Sequence, residues 1–319
     1  MRFYSNVFLN PAWWKSWVTP DHFSYDEIPD LSGKVALVTG ANTGLGYATT
    51  VALASRGAHV FLACRSKERA QAAIERAREE IQAKDPSVNP KLEFLELDLN
   101  DMNQCHRAAK EFLATGHPLH ILINNAAIMD SPFALTVDGI EQQFGCNHMG
   151  HFVFTMALLD RIKESAPSRI VIVSALAHEE AVSGIDYETL NDETALDGWE
   201  RYGRSKLANL FFGQELADRL ANEEVFVNIV KTELARHMVE KGVKFSPVTN
   251  IVLLTPQRGA LTQLYAATSP EIAEKNIRGK YFMPVANQIR PNPITTNKSL
   301  QKQLWDFSVE LMQQKVKVQ

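Results

Sequence analysis

From residue 33 onward the chain alternates short apolar runs with longer amphipathic stretches, and the first run passes directly into a glycine-rich turn, Thr39-Gly40-Ala41-Asn42-Thr43-Gly44-Leu45-Gly46. An apolar run bounded by turn residues reads as a strand buried on both faces, and an amphipathic stretch of three or more turns as a helix covering it. Repeated in strand–helix order, the pattern admits little besides a parallel sheet with helices on both sides. Predicted strands are 34–39, 59–64, 92–97, 119–124, 169–174, 225–230 and 280–283, about seven in all. Predicted helices are 45–56, 67–84, 102–114, 139–163, 199–220 and 257–267, with a last amphipathic segment at 300–312 and a Pro/Asn-rich turn at 287–297. The polar stretch 175–198 has no clear period and is long for a connection, so it is expected to be a loop over the site.

A strand that enters Gly40-x-x-x-Gly44-x-Gly46 and leaves as a helix is a phosphate cradle. The glycines allow close backbone approach, and the helix N-terminus offers free N–H groups and a positive dipole end to a pyrophosphate. Gly40, Asn42, Thr43, Gly44, Leu45 and Gly46 are therefore candidate cofactor contacts, and the fold class is α/β, a Rossmann-type doubly wound parallel sheet. The second strand ends in Cys64-Arg65 with no carboxylate to accept from a ribose 2′-hydroxyl. Arg65, helped by Lys67, suits a 2′-phosphate and argues for NADP(H) over NAD(H).

Tyr202 and Lys206 stand four apart on a predicted helix, so a phenol and an ammonium share one face. A free phenol titrates near 10, and a neighbouring cation favours phenolate, so Lys206 is expected to bring Tyr202 towards the working range. The spacing alone is common. The cradle, Asp98-Leu99 after the third strand, Asn124-Asn125-Ala126-Ala127 after the fourth, Asn147, and Ser174 at the end of the fifth supply its context.

Together these motifs, in this order over about residues 33 to 285, resemble the short-chain dehydrogenase/reductases. The cradle sequence, Ala63-Cys64-Arg65, Tyr202-Gly-Arg-Ser-Lys-Leu-Ala-Asn209 and Leu304-Trp305-Asp306-Phe307-Ser308 are similar to the retinol-dehydrogenase-like branch and its fungal and plant relatives. The resemblance implies an NADP(H)-dependent interconversion of an alcohol and a ketone or aldehyde. Tyr202 would be the general acid/base, Ser174 would hydrogen-bond the substrate oxygen, Lys206 would hold the nicotinamide ribose, and Asn147 would position a relay water. Asp98 and Leu99 would meet the adenine, and Asn125 and Ala126 the adenosine side. A homodimer through the helices after the fourth and fifth strands is implied as well.

The chain departs from that family after the sixth strand. Relatives continue into a Pro-Gly pair and a short loop before a threonine that holds the nicotinamide carboxamide, whereas this chain reads Val230-Lys231-Thr232-Glu233. Thr232 is the remaining candidate, and the shortened segment sets a second reading beside the first: a cofactor-binding regulatory or scaffold protein with impaired turnover. Apolar residues flanking the predicted pocket, Ile128, Met129, Phe133, Leu176 and Met238, point to a lipophilic substrate.

Composition excludes other classes. A net charge of −4 with scattered Lys and Arg does not suit a nucleic-acid partner. Three separated cysteines, Cys64, Cys105 and Cys146, suit reduced thiols in a cytoplasmic protein. His148-x-x-His151 lacks a third ligand, so no metal is expected there. Ser174 with His178 and Asp186 lacks the strained elbow of a hydrolase. Residues 1–30 form an aromatic-rich arm ahead of a single domain, 31–319, that carries a C-terminal substrate-side extension. The arm's composition suits a membrane interface, but Pro11 and Pro20 interrupt any amphipathic helix, so packing on the domain or a partner is expected instead.

Overall fold

The computed structural model describes residues 19–181, 183–231 and 255–317. Eight strands form one sheet in the order β3-β2-β1-β4-β5-β6-β7-β8. They are β1 Val35–Thr39, β2 His59–Cys64, β3 Lys91–Glu96, β4 Ile121–Asn124, β5 Ser168–Ser174, β6 Val225–Lys231, β7 Tyr281–Met283 and β8 Asn287–Ile289. All neighbours pair in parallel except β7 and β8, which form an antiparallel hairpin. The expected Pro/Asn-rich turn thus begins with an eighth strand, too short to show a period and visible only through its pairing with β7.

Eight α-helices of four residues or more among the described residues cover the sheet: α1 Gly44–Ser55, α2 Lys67–Lys84, α3 Met102–Ala114, α4 Gly150–Glu164, α5 Gly198–Arg219, α6 Pro256–Thr268, α7 Glu271–Glu274 and α8 Lys298–Lys315. Strand alternation sorts the core into two layers. Leu37, Phe61, Leu122, Ile170, Ile172 and Ile229 face α3, α4, α5 and α8, while Ala36, Val38, Val60, Ile123, Val171 and Val230 face α1, α2 and α6.

The helix read as one piece over 139–163 is compound. A short turn at Gln142–Phe144 leads into a π-helical turn, Gly145–Met149, before α4. A π turn adds a residue per turn and re-aims the side chains it carries, here including Asn147. The end of the N-terminal arm belongs to the core: Phe23 is buried and meets Tyr265 edge-on, 5.6 Å between ring centroids, and Tyr25 donates to the Gln257 carbonyl. Residues 1–18 lie outside the described residues.

Strand order reverses direction of winding between β1 and β4. In an open parallel sheet the crevice at such a switch point, beyond the carboxyl ends of the strands, is where ligands bind. The glycine turn, Arg65, Asp98 and the Asn124–Ala127 segment all emerge there.

Candidate active site

The turn from β1 into α1 is built for close approach. Gly40 and Gly44 adopt φ of +64° and +57°, where a side chain is strained. A Cβ on Gly46 would stand 2.4 Å from the Gly40 carbonyl oxygen, so no other residue fits without moving the backbone. Thr43 caps α1 and Leu45 lies in its first turn. Asn125 braces the cradle from β4: its side chain donates to the Thr39 carbonyl at 2.8 Å, and its backbone N–H donates to Thr39 Oγ1 at 2.9 Å. Asn125 therefore holds the cradle together and is absent from the wall of the cleft in front of it, which the resemblance had placed against adenosine.

That cleft, about 220 Å³, runs along the sheet edge and is lined by Gly40, Asn42, Arg65, Asp98, Leu99 and Ala126. Arg69 and Ser66 line it too, and Lys67 does not. Ser66 caps α2 by accepting from the Arg69 N–H, and the helix start then places residues 65 and 69, not 67, towards the cleft. The second cation on the cleft wall beside Arg65 is thus Arg69, not Lys67. Cys64 and Cys146 also line the cleft, and burial pushes their thiols up to about 11 and about 12, so both stay protonated.

The second half of the site lies at the ends of β5 and β6. Ser174 closes β5 and donates from Oγ to the Lys206 carbonyl at 2.8 Å. Lys206 is 0% exposed and donates from Nζ to the Val173 carbonyl at 3.1 Å. Tyr202, 1% exposed, packs among Met129, Ala175, Ala177 and Trp199, with Lys206 Nζ 5.6 Å from its ring centroid. Its hydroxyl has no hydrogen-bond partner among the described residues. Burial raises the Tyr202 phenol and lowers the Lys206 ammonium to about 7. Both shifts favour the neutral forms, and both come from desolvation of fully buried groups.

Asn147 is held by three side-chain hydrogen bonds. Its side-chain N–H groups donate to the Ile128 carbonyl and to Ser205 Oγ, each at 2.9 Å, and its Oδ1 accepts from the Ile128 N–H at 2.9 Å. Both donors are committed to protein, so a relay water would have to use other atoms. The reason is the π turn, which aims the amide between the segment after β4 and helix α5.

A buried polar chain that motif reading missed joins the two halves. Burial holds His151 near 4, and the neutral ring bridges the Asn147 carbonyl (Nδ1, 3.0 Å) and Thr39 Oγ1 (Nε2, 2.9 Å). Because a carbonyl only accepts, Nδ1 carries the proton and Nε2 accepts from threonine. Ser205, the far partner of Asn147, donates to the Tyr202 carbonyl at 2.7 Å. The signal was the spacing: His151, four residues after Asn147, lies on the same helical face. The start of α5 is fixed by Asp197, which caps it, and by buried Glu141, 3.5 Å from Arg201 and 3.9 Å from Arg204.

His148, the other histidine of the pair, is buried against Ser308 of α8, its Nε2 2.8 Å from the hydroxyl. His178 contacts Glu179, and Asp186 is engaged by Thr189, so the hydrolase arrangement does not form. Lys231 ends β6 buried in register with Ser174. Thr232 and Met238 lie outside the described residues. No helix among the described residues is long and apolar enough to cross a membrane.

Comparison with known proteins agrees with this geometry. Residues 34–241 match the family model for short chain dehydrogenases. An uncharacterized oxidoreductase of Schizosaccharomyces pombe is 40% identical over 281 residues, covering 83% of this chain and 81% of its own length. Human retinol dehydrogenase 14 is 38% identical over 294 residues, covering 87% and 86%. Among solved structures, an uncharacterized protein from Mycobacterium paratuberculosis is 29% identical with a TM-score of 0.72, covering 93% of this chain and 99% of that one. A short-chain dehydrogenase from Shigella flexneri, solved with NADP, shares the fold at a TM-score of 0.61, with 20% identity and coverage of 80% and 98%. With its cradle, its buried Ser174, Tyr202 and Lys206, and these relatives, the chain belongs to the short-chain dehydrogenases, in the retinol-dehydrogenase-like branch, a family of oxidoreductases working between alcohols and carbonyls.

Proposed function

We propose that this chain uses NADP(H) to interconvert a lipophilic alcohol and its aldehyde or ketone, with Tyr202 as the group that gives and takes the proton. The observation that carries the reading is the Tyr202 hydroxyl, buried beside buried Lys206 without a hydrogen-bond partner among the described residues. Buried polar groups are nearly always paired, and those left open cluster where a reacting group completes them. The glycine turn that no Cβ could enter and the Arg65 and Arg69 edge fit a dinucleotide carrying a 2′-phosphate. When bound, the nicotinamide supplies the hydride.

The remaining chemistry belongs to the chain. Tyr202 is neutral as it stands and is ready to donate its proton to a carbonyl oxygen; oxidation of an alcohol needs the phenolate, which a cation close by would favour. Ser174 directs its proton to the Lys206 carbonyl, which leaves a lone pair facing outward. In that rotamer it accepts from an alcohol or from Tyr202, and it must turn its hydroxyl to donate to a carbonyl. Met129, Ala175, Ala177 and Trp199 around the phenol give the substrate an apolar surround, and Ile128 lines the cleft beside it. Human retinol dehydrogenases 14 and 11, 38% and 39% identical to this chain, carry names that fit such a substrate.

The experiment pairs NADPH binding with turnover. Purified chain should quench and bind NADPH more tightly than NADH, and should oxidise NADPH when supplied with a panel of apolar aldehydes and ketones. Turnover equal in wild type and Tyr202→Phe would remove Tyr202 from its role. A second reading, a binder without turnover, is favoured by one observation: β6 ends at buried Lys231 and continues to Thr232 without a Pro-Gly pair. NADPH binding with no oxidation across the panel would select it.

A further inference from the structure

At the end of the sheet opposite the cofactor cleft, three side chains of metal-ligating type converge from three different segments. His59 is the first residue of β2, Glu93 stands in β3 beside Phe61, and His117 lies in the connection between α3 and β4. Donor atoms of the three lie within 4.8 Å of one another. Four coordination around a zinc-sized ion, with ligand distances of 2.0 to 2.2 Å, spaces donors about 3.4 Å apart, so the widest pair closes by at most about 1.4 Å and the 2.8 Å His59–Glu93 pair opens slightly. Exposed Glu93 has the freedom to make this adjustment.

The backbones that carry these groups are anchored. The His59 N–H donates to the Lys34 carbonyl at 2.9 Å, and the His117 carbonyl accepts from Arg161 at 2.6 Å. The imidazoles stand edge to face with centroids 4.9 Å apart, and Phe61 packs against both. His59 Nε2 is buried and stands 2.8 Å from Glu93 Oε1, so two of the three donors are already in contact, with His117 beside them.

We infer that His59, Glu93 and His117 form a site for a divalent transition-metal cation, zinc by preference, that clamps the lower ends of β2 and β3 to the segment entering β4. Two imidazoles and one carboxylate are a set that zinc accepts, and its remaining position would be taken by water. The hard cation Mg²⁺ prefers oxygen ligands and should not compete. β2 runs from His59 to Cys64 at about 3.3 Å per residue, so roughly 16 Å separates this site from the cofactor cleft, and its effect should be structural.

Chelator-treated full-length chain titrated with Zn²⁺ by calorimetry, and with Co²⁺ by visible absorption, tests the inference. One Zn²⁺ per chain is expected, with Co²⁺ ligand-field bands and no response to Mg²⁺. His117→Ala and Glu93→Gln should each weaken Zn²⁺ binding by about tenfold or more, since even changes behind a ligand cost that much. Zn²⁺ should raise the melting temperature of wild type but not of His117→Ala, and NADPH binding should be the same in both. Wild type that takes up no Zn²⁺ overturns the inference. So does Zn²⁺ binding that is unchanged in both variants, each checked for folding by circular dichroism.

Discussion

The glycine cradle after β1 and the corner of Ser174, Tyr202 and Lys206 after β5 are made in different ways. The cradle is a backbone object: Gly40, Gly44 and Gly46 shape it, and Asn125 and Thr39 hold β1 to β4 behind it. The corner is a side-chain object, in which Ser174, Tyr202 and Lys206 are all buried and their partners are mostly carbonyls. A backbone site tolerates no added atom, whereas a side-chain site tolerates change of shape but not loss of a functional group. The buried chain from Thr39 through His151 and Asn147 to Ser205 makes the two regions a single unit.

Removing the phenol hydroxyl should give the largest effect and separate the regions most cleanly. Tyr202→Phe is expected to lower NADPH-dependent turnover by about 10² to 10⁴-fold while leaving NADPH affinity little changed, measured by steady-state rates and fluorescence titration. The converse change is Gly46→Ala, whose Cβ would meet the Gly40 oxygen at 2.4 Å. Displacing a bound group by about an ångström costs on the order of 100-fold, so this variant should lose NADPH binding and turnover together. If it loses turnover alone, the cradle is not where the dinucleotide sits.

A smaller effect should appear at the cleft edge. Arg65→Ala and Arg69→Ala each remove a charged hydrogen-bond donor, worth about 1.5 to 3 kcal/mol, and should weaken NADPH by roughly 10- to 100-fold without weakening NADH. Competition titrations with both nucleotides read this directly. Equal losses for the two would assign the arginines to the shared part of the cofactor.

The smallest effect is on stability and concerns the corner alone. Lys206 is lowered from 10.5 to about 7 by burial, so between those values the unfolded chain binds the proton that the folded chain lacks. Stability from this group therefore rises with pH across that window, and the cost of burying the charge is complete below it. Lys206→Met should be stabilised relative to wild type most at pH 7 and below, with the gap narrowing towards pH 10.5, as urea midpoints at several pH values would show. A gap that widens with pH would mean that Lys206 is held as a cation.

The sheet was legible because its central strands are buried on both faces and so read as apolar runs, with β3 alternating at the edge, and the cradle because only glycine fits it. Lys206 lies between the other two residues of the corner, its carbonyl accepting from Ser174 and its ammonium 5.6 Å from the Tyr202 ring. What could not be read was partner choice. Asn125 and Asn147 turn their amides onto backbone groups, and the shift of Tyr202 depends on burial that spacing does not reveal. Arg69 replaced Lys67 because a capped helix start, not proximity in sequence, decides which residues reach the cleft. The π turn and β8 arise from tertiary pairing and leave no periodic trace.

The most direct test of the central claim follows the hydride and the proton together. Chain loaded with NADPH deuterated at the transferable position is mixed with an apolar aldehyde in a single turnover, and the alcohol is examined by mass spectrometry for wild type and for Tyr202→Phe at equal NADPH occupancy. Deuterated alcohol from wild type and almost none from Tyr202→Phe is the expected result. Equal deuteration from both, or none from wild type while NADPH is fully bound, would contradict it.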